Sequence, residues 1–319
     1  MKLKCAILDD YQNIALDFAN WSSLEEQVEV TAFHQHLSSE NEIVEKIQDF
    51  DVVIIMRERT PFTTSMFERL PRLKLLITTG MRNASIDLAA AKKQGVTVCG
   101  TSSDSEPPTE LAWGLILNLA RHITAEYNNF RQKGTWQLSV GEDLYGKCLG
   151  IIGLGKIGTK MVTIAQAFGM DVVAWSENLT KEKTDSLGVS KAASLENLLS
   201  QSDYVTIHLV LSDRTRNLIT SNELKQMKSS AFLINTSRAS IVNQYDLIEA
   251  LENRWLAGAG LDVYEEEPLN KNHPFRTLPN VLATPHLGYV TRSNYEKYYG
   301  EALEDIQAYL LGSPIRTLN

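Results

Sequence analysis

At 319 residues the chain is longer than one ordinary hydrophobic core supports, so two domains are expected. Hydrophobic residues make up 43% and charged residues 22%, which excludes a disordered or fibrous chain. The formal net charge is -8 and no Lys/Arg block stands out, which argues against nucleic acid or an anionic membrane surface as a partner.

The chain opens MKLKCAILDDYQ, whose apolar run is too short for a signal peptide. No stretch approaches the ~20 apolar residues of a membrane span, so a cytoplasmic protein is expected. Cys5, Cys99 and Cys148 are far apart and match no metal spacing. They read as small buried hydrophobes in a reducing compartment, with no metal site.

In chain order, CAIL reads as a strand and IALDFANW as helical. VEVTAF, DVVIIM, LKLLITT and VTVCG repeat the strand signal, with ENEIVEKIQ and SIDLAAAKKQ as helices between them. In the second of these helices Ser85 is the expected cap and Gly95 the stop. Strand and helix in alternation imply a parallel sheet covered by helices, in a first unit ending near Gly100. SSDSEPPTE then breaks the pattern. TELAWGLILNLARHITAEYNNFRQ follows as one long helix that can bridge domains, contact another subunit or fill a core.

A second alternating series begins at CLGIIGLG and continues through the strands VVAWSE, YVTIHL, FLINTS, AGAGLDV and NVLATP. KIGTKMVTIAQAFG, SLENLLSQ, TSNELKQM and NQYDLIEALEN are the helices between them. The final helix, EKYYGEALEDIQAYLLG, is placed to return to the first domain. The fold class expected is α/β, with two doubly wound parallel-sheet domains.

LGIIGLGKIGTKM carries G-x-G-x-x-G as Gly153, Gly155 and Gly158, between a strand and a helix. Gly153 suits the tight turn, Gly155 lets backbone approach a pyrophosphate, and Gly158 lets helix lie close on strand. The helix start at Lys156 and Ile157 then offers free N–H groups to the anion. Its apolar face is expected to hold Ile157, Met161, Ile164, Ala165 and Phe168. The next strand ends in Ser176 and Glu177. A carboxylate there favours NAD by accepting from the ribose and repelling a 2′-phosphate. If Ser176 takes that place, NADP becomes the alternative, with Asn178 or Lys181 helping. The cofactor is therefore NAD or NADP, with NAD favoured.

Three charged features follow later strands: Arg238 after FLINTS, Glu265 to Glu267 in LDVYEEEP, and His286 in ATPHLG. Ligands collect beyond the carboxyl ends of strands in an open α/β sheet, so the three can converge. Arginine holds a carboxylate by a two-pronged hydrogen bond. Histidine exchanges a proton near neutral pH, and a nearby glutamate orients it. With a nicotinamide supplying hydride, this set reduces a 2-oxo acid or oxidises a 2-hydroxy acid.

These motifs resemble the D-isomer-specific 2-hydroxyacid dehydrogenase family, which includes phosphoglycerate dehydrogenases and glyoxylate/hydroxypyruvate reductases. GLGKIG, NTSRASIVNQYDLIEAL, AGAGLDVYEEEP and TPHLG carry the likeness most specifically. The resemblance implies Arg238 as the substrate-carboxylate ligand, Glu267 as the partner of the histidine, and His286 as the acid/base. It implies Asp262, Thr236, Ser237 and Gly288 around the nicotinamide and Thr109 and Leu209 in the cofactor cleft. Arg57, Gly80, Met81 and Arg82 are the implied substrate contacts of the first domain. The implied domains are a discontinuous flavodoxin-like substrate domain, 1–103 plus 291–319, and a Rossmann NAD(P)-binding domain, 104–290, with the active site between them. A homodimer through the cofactor domain is implied, with TELAWGLILNLAR as the interface candidate. Ala239, Asn243 and Ser176 depart from the family's glycine and aspartates, as does TTGMRNASID from its more usual glycine-rich loop. The chain ends at Asn319 after the last helix, so the regulatory domain of some phosphoglycerate dehydrogenases is not expected. An NAD(H)-sensing corepressor-like binding protein is the alternative reading. A formate-type dehydrogenase fits less well, because that branch carries glutamine where Glu267 stands.

Overall fold

The structure, a computed structural model, describes residues 2–319. The chain divides into two compact units, Met1–Asp104 with Val290–Asn319, and Ser105–Tyr289.

The first unit is built on β1 (Leu3–Ile7), β2 (Val28–Ala32), β3 (Val52–Ile55), β4 (Leu75–Thr78) and β5 (Thr97–Gly100). They lie in the order β2-β1-β3-β4-β5, and every pairing among them is parallel. This is the flavodoxin-like order. β3 and β4 are buried along their whole length, which explains their unbroken apolar runs: helices cover both faces, so no alternation is needed. Ala6, Val53, Ile55, Leu76 and Val98 pack with Phe62 and Phe67 in one core. The helix Arg292–Leu310 belongs to this unit. After it the chain turns back along the β5 edge, where Gly100 N donates to Arg316 O (3.0 Å) and Leu318 N to Val98 O (2.8 Å). That closes an otherwise open sheet edge.

The second unit carries β6 (Cys148–Ile152), β7 (Asp171–Trp175), β8 (Ser190–Lys191), β9 (Tyr204–Ile207), β10 (Phe232–Asn235), β11 (Gly258–Leu261) and β12 (Val281–Ala283). Their order is β12-β11-β10-β9-β6-β7-β8, again all parallel. The strand order reverses at β6, beside β9. That is the place where a doubly wound sheet opens a crevice for a ligand. Alternate residues face opposite cores: Leu233 and Val205 on one side, Ile234 and Tyr204 on the other. The expected fold class, two parallel-sheet α/β units, is what the chain adopts.

Several local expectations change. IALDFANW is not an α-helix but two short 3₁₀ turns, Ala15–Asp17 and Trp21–Leu24. Asp10 accepts from Ile14 N (3.0 Å) and Ala15 N (3.1 Å), and this side-chain clamp competes with helix formation. The cap of the helix Leu88–Lys93 is Asp87, which accepts from Ala90 N at 2.9 Å. Ser85 instead donates to Asn83. The long helix breaks at His122, a left-handed residue with φ 52°, into Glu106–Arg121 and Ile123–Arg131. Asn118 bridges the break by accepting from Thr124 N and donating to Thr124 Oγ1. Ala112, Trp113, Leu115, Ile116 and Ala120 of the first piece are buried in their own unit, so TELAWGLILNLAR is largely a core helix. On the helix Lys156–Ala167 the buried face is Gly158, Met161, Val162 and Ala165, while Phe168 is 43% exposed beyond its end. Cys5 and Cys99 are buried as expected, but Cys148 is only half-buried.

Candidate functional site

The turn after β6 is shaped by its glycines, each for a different reason. Gly153 has φ 100°, and a Cβ there would lie 2.6 Å from His208 O. A Cβ on Gly158 would lie 2.2 Å from Gly153 O, so helix and strand touch where that glycine sits. A Cβ on Gly155 meets nothing within 4 Å, so no protein contact explains a glycine at that point. Gly155 and Lys156 are exposed at the start of a 12-residue helix whose first N–H groups have no helical partner. An open glycine before a helix N-terminus fits the pyrophosphate of a dinucleotide. Leu209 stands against this turn, its Cδ2 2.9 Å from where a Gly153 Cβ would lie. His208 backs the same turn. Its Nε2 is 3.0 Å from Thr206 Oγ1, and burial pushes the imidazole down to about 3, so it is neutral.

After β7 the chain turns at once, with Leu179 N donating to Ser176 O at 3.0 Å. Ser176 is half-buried and Glu177 exposed. Glu177 pairs with Arg214, from the segment after β9, at 3.7 Å. Lys181 is held on its own helix by Asp185, at 2.9 and 2.7 Å. Thr109 is buried, and its hydroxyl donates back to Ser105 O at 2.7 Å.

The later charged residues are delivered by neighbouring strands. Register pairs Asn235 with Leu261 and Leu261 with Ala283. Arg238, Asp262 and His286 each follow one of these residues closely, so they leave the sheet at its carboxyl edge side by side. Asn235 shapes the first turn: its Oδ1 accepts from Ser237 N (3.1 Å) and its Nδ2 donates to Arg238 O (3.0 Å). Ser237 Oγ donates to Ile207 O, tying this turn to β9 (2.8 Å). Thr236 and Arg238 are half-buried, and Arg238 Nη1 donates to Ser237 O at 2.8 Å. A 3₁₀ turn, Ala239–Ile241, returns the chain to the core at Ile241 and Val242.

His286 adopts φ 54°, and its Nδ1 lies 2.6 Å from Glu267 Oε2. Both side chains are largely shielded, 16% and 18% exposed. Glu267 Oε1 accepts from Tyr264 N at 3.0 Å, so the carboxylate is fixed at both oxygens. Tyr289 stands edge-on to the imidazole, with ring centroids 5.3 Å apart. Glu265 and Glu266 do not share this contact: of the three glutamates, Glu267 alone meets the histidine among the hydrogen bonds and ion pairs described. Asp262 is fully buried and accepts from Thr284 Oγ1 (2.6 Å), Leu287 N (2.7 Å) and Gly288 N (2.8 Å). Burial pushes its carboxyl up, against these hydrogen bonds and His286. Asp262 and Gly288, expected beside a nicotinamide, are thus bonded to each other and hold the loop that carries His286. Tyr264 completes the support by donating to Thr284 O at 2.8 Å. Tyr264 and Thr284 were not singled out from sequence, although both lie inside LDVYEEEP and ATPHLG.

In the first unit, Arg57, Gly80, Met81 and Arg82 follow β3 and β4. Arg57 has φ 52°, donates its N–H to Thr79 Oγ1 (3.0 Å), and turns its guanidinium towards Gly80 and Tyr298. A Cβ on Gly80 would lie 2.6 Å from Arg57 Nη1. The Gly80 N–H is committed to Thr101 Oγ1 at 3.0 Å, which removes one of the donors expected for a substrate carboxylate. Met81 and Arg82 are exposed.

Residues 113–288 match the family described as D-isomer specific 2-hydroxyacid dehydrogenase, NAD binding domain. The chain is 38% identical to the glyoxylate reductase of Aeropyrum pernix over 77% of its length and 76% of that protein's. It is 34% identical to the D-3-phosphoglycerate dehydrogenase of Methanocaldococcus jannaschii over 86% of the chain, but spans only about half of that relative, 52%. Among solved structures, a phosphoglycerate oxidoreductase from Vibrio cholerae superposes with a TM-score of 0.92 at 36% identity, over 98% of this chain and all of the other.

Proposed function

Because the chain belongs to the D-isomer-specific 2-hydroxyacid dehydrogenase family, and is thereby an NAD(P)-dependent oxidoreductase acting on a CH–OH group, we propose that Arg238, Glu267 and His286 are its catalytic set and that it reduces a small 2-oxo acid. The observation that carries this reading is the 2.6 Å contact of His286 Nδ1 with a glutamate that is itself anchored. With Nδ1 engaged, Nε2 is the nitrogen that hands a proton to the substrate's carbonyl oxygen. Arg238 holds the substrate carboxylate and draws charge towards the adjacent carbonyl. Asp262 and Tyr264 keep the His286 loop in place. A bound nicotinamide supplies the hydride. Gly155, Lys156 and Ile157 would hold its pyrophosphate, on a turn that Gly153 and Gly158 make possible, and Glu177 supports NAD as the favoured form. We assign the activity to the cytoplasm, on the support of three free cysteines. No helix among the described residues is long and apolar enough to cross a membrane.

The test is a panel of glyoxylate, hydroxypyruvate, pyruvate and phosphohydroxypyruvate with NADH and NADPH, run on the wild type and on His286→Gln. The wild type is expected to oxidise reduced nucleotide with at least one member. The variant should lose ~10²–10⁴-fold in kcat/KM while still binding nucleotide. Wild-type rates in the variant would remove His286 from its role, and silence across the panel would remove the proposed substrate class.

The second unit also supports a homodimer, through a surface that begins at the C-terminal end of the long helical segment. The helix Ile123–Arg131 and the segment after it expose Tyr127 (60%), Phe130 (63%), Trp136 (80%), Leu138 (56%) and Val140 (92%). The segment is held in place: Leu138 N and Ser139 N donate to Glu126, and Phe130 and Trp136 are edge-on at 6.0 Å. An ordered apolar patch of this kind suits a second copy of the same chain.

A further inference from the structure

We propose that Arg214 admits a dinucleotide bearing a 2′-phosphate, its ion pair with Glu177 setting the choice between NADH and NADPH; this rests on the nucleotide reading of the glycine turn. The sheet order places β6 between β9 and β7, so the glycine turn emerges between the segments that carry Arg214 and Glu177. Their contact at 3.7 Å joins the two segments flanking that turn. Both ends have a defined backbone. Thr215 closes the Arg214 segment by accepting from Ser212 N (2.8 Å) and donating to Val210 O (2.8 Å). Ser176 O closes the turn that carries Glu177.

The chemistry at the end of β7 follows from this pair. A lone carboxylate there repels a phosphate. Beside Arg214 that repulsion is offset in part, and a guanidinium is the side chain best matched to a phosphate's oxygens. The pair is exposed, 71% and 67%, so little stability is lost when it opens. Lys181, the cation suggested by sequence proximity, is engaged by Asp185, which leaves Arg214 as the cation that meets Glu177. With a free 2′-hydroxyl, Glu177 accepts from the ribose and keeps Arg214. With a 2′-phosphate, Arg214 moves to the phosphate and Glu177 turns to solvent, while the half-buried Ser176 adds a neutral donor.

The experiment is direct binding, by calorimetry or quenching of nucleotide fluorescence, of NADH and NADPH to the full-length wild type, Arg214→Ala, Arg214→Lys and Glu177→Ala. Arg214→Ala is expected to weaken NADPH about tenfold or more and to leave NADH within about twofold. Arg214→Lys should recover part of the NADPH affinity. Glu177→Ala should weaken NADH and strengthen NADPH. Equal changes for both nucleotides in Arg214→Ala, no change for NADPH, or a wild type that binds only NADH would each overturn the role of Arg214 while leaving the nucleotide site standing. A wild type that binds neither nucleotide would overturn the site reading as well.

Discussion

Asp305 illustrates what a single position can hide. It lies in the helix Arg292–Leu310, fully buried, with Oδ1 accepting from Arg316 Nε at 2.9 Å and Oδ2 making no hydrogen bond. Burial raises its pKa from 3.8 to about 7, even with Arg316 opposing. Between those values the folded chain holds a proton that the unfolded chain has released. Stability from this group is therefore full below pH ~4 and lost as pH rises through about 7, by at most ~1.4 kcal/mol per unit. Urea midpoints taken from pH 4 to 8 should fall across that window in the wild type and flatten in Asp305→Asn. Identical profiles would mean that Asp305 is ionised throughout. Nothing in LEDIQ marks this residue, because its partner returns from Arg316, beyond the helix end. Glu267 and His286 were legible by contrast, since each stands in a local motif whose chemistry implies a partner. Tyr264 and Thr284 were not, because their roles come from hydrogen bonds between strand ends.

At the scale of elements, the glycine turn gives a pair of opposite outcomes. Gly158→Ala pushes a Cβ into Gly153 O and should destabilise the second unit by ~1–3 kcal/mol, read as a lowered Tm. Gly155→Ala projects into open space and should keep the wild-type Tm within about a degree, yet weaken nucleotide binding about tenfold. If both lose stability equally, Gly155 is a structural glycine and not a ligand contact. Strands were the most readable elements, since buried parallel strands are continuous apolar runs. Helices were less so where side chains compete for the backbone. Asp10 clamps the start of the 3₁₀ turn Ala15–Asp17, and Asn118 with His122 splits the long helix. Such competition depends on a rotamer and a φ value, neither of which periodicity reports.

At the scale of the molecule, the exposed patch around Trp136 leads to a statement about mass. The wild type should sediment at twice the 35.7 kDa chain mass, and Trp136→Glu combined with Val140→Glu should shift it to the single-chain value while preserving the circular dichroism spectrum. A wild type that sediments as a single chain at micromolar concentration would end the dimer proposal.

The sequence by itself determined the α/β class, the glycine turn after β6 and the residue types of the candidate catalytic set. Each is written in local terms: apolar runs, glycine spacing, and charged residues directly after strands. Only the tertiary structure decided that Asp262 holds the loop carrying His286, and that Arg214 reaches Glu177. It also placed an exposed apolar surface at Tyr127, Phe130, Trp136, Leu138 and Val140. These outcomes depend on strand order and register, which bring together residues that no local spacing connects.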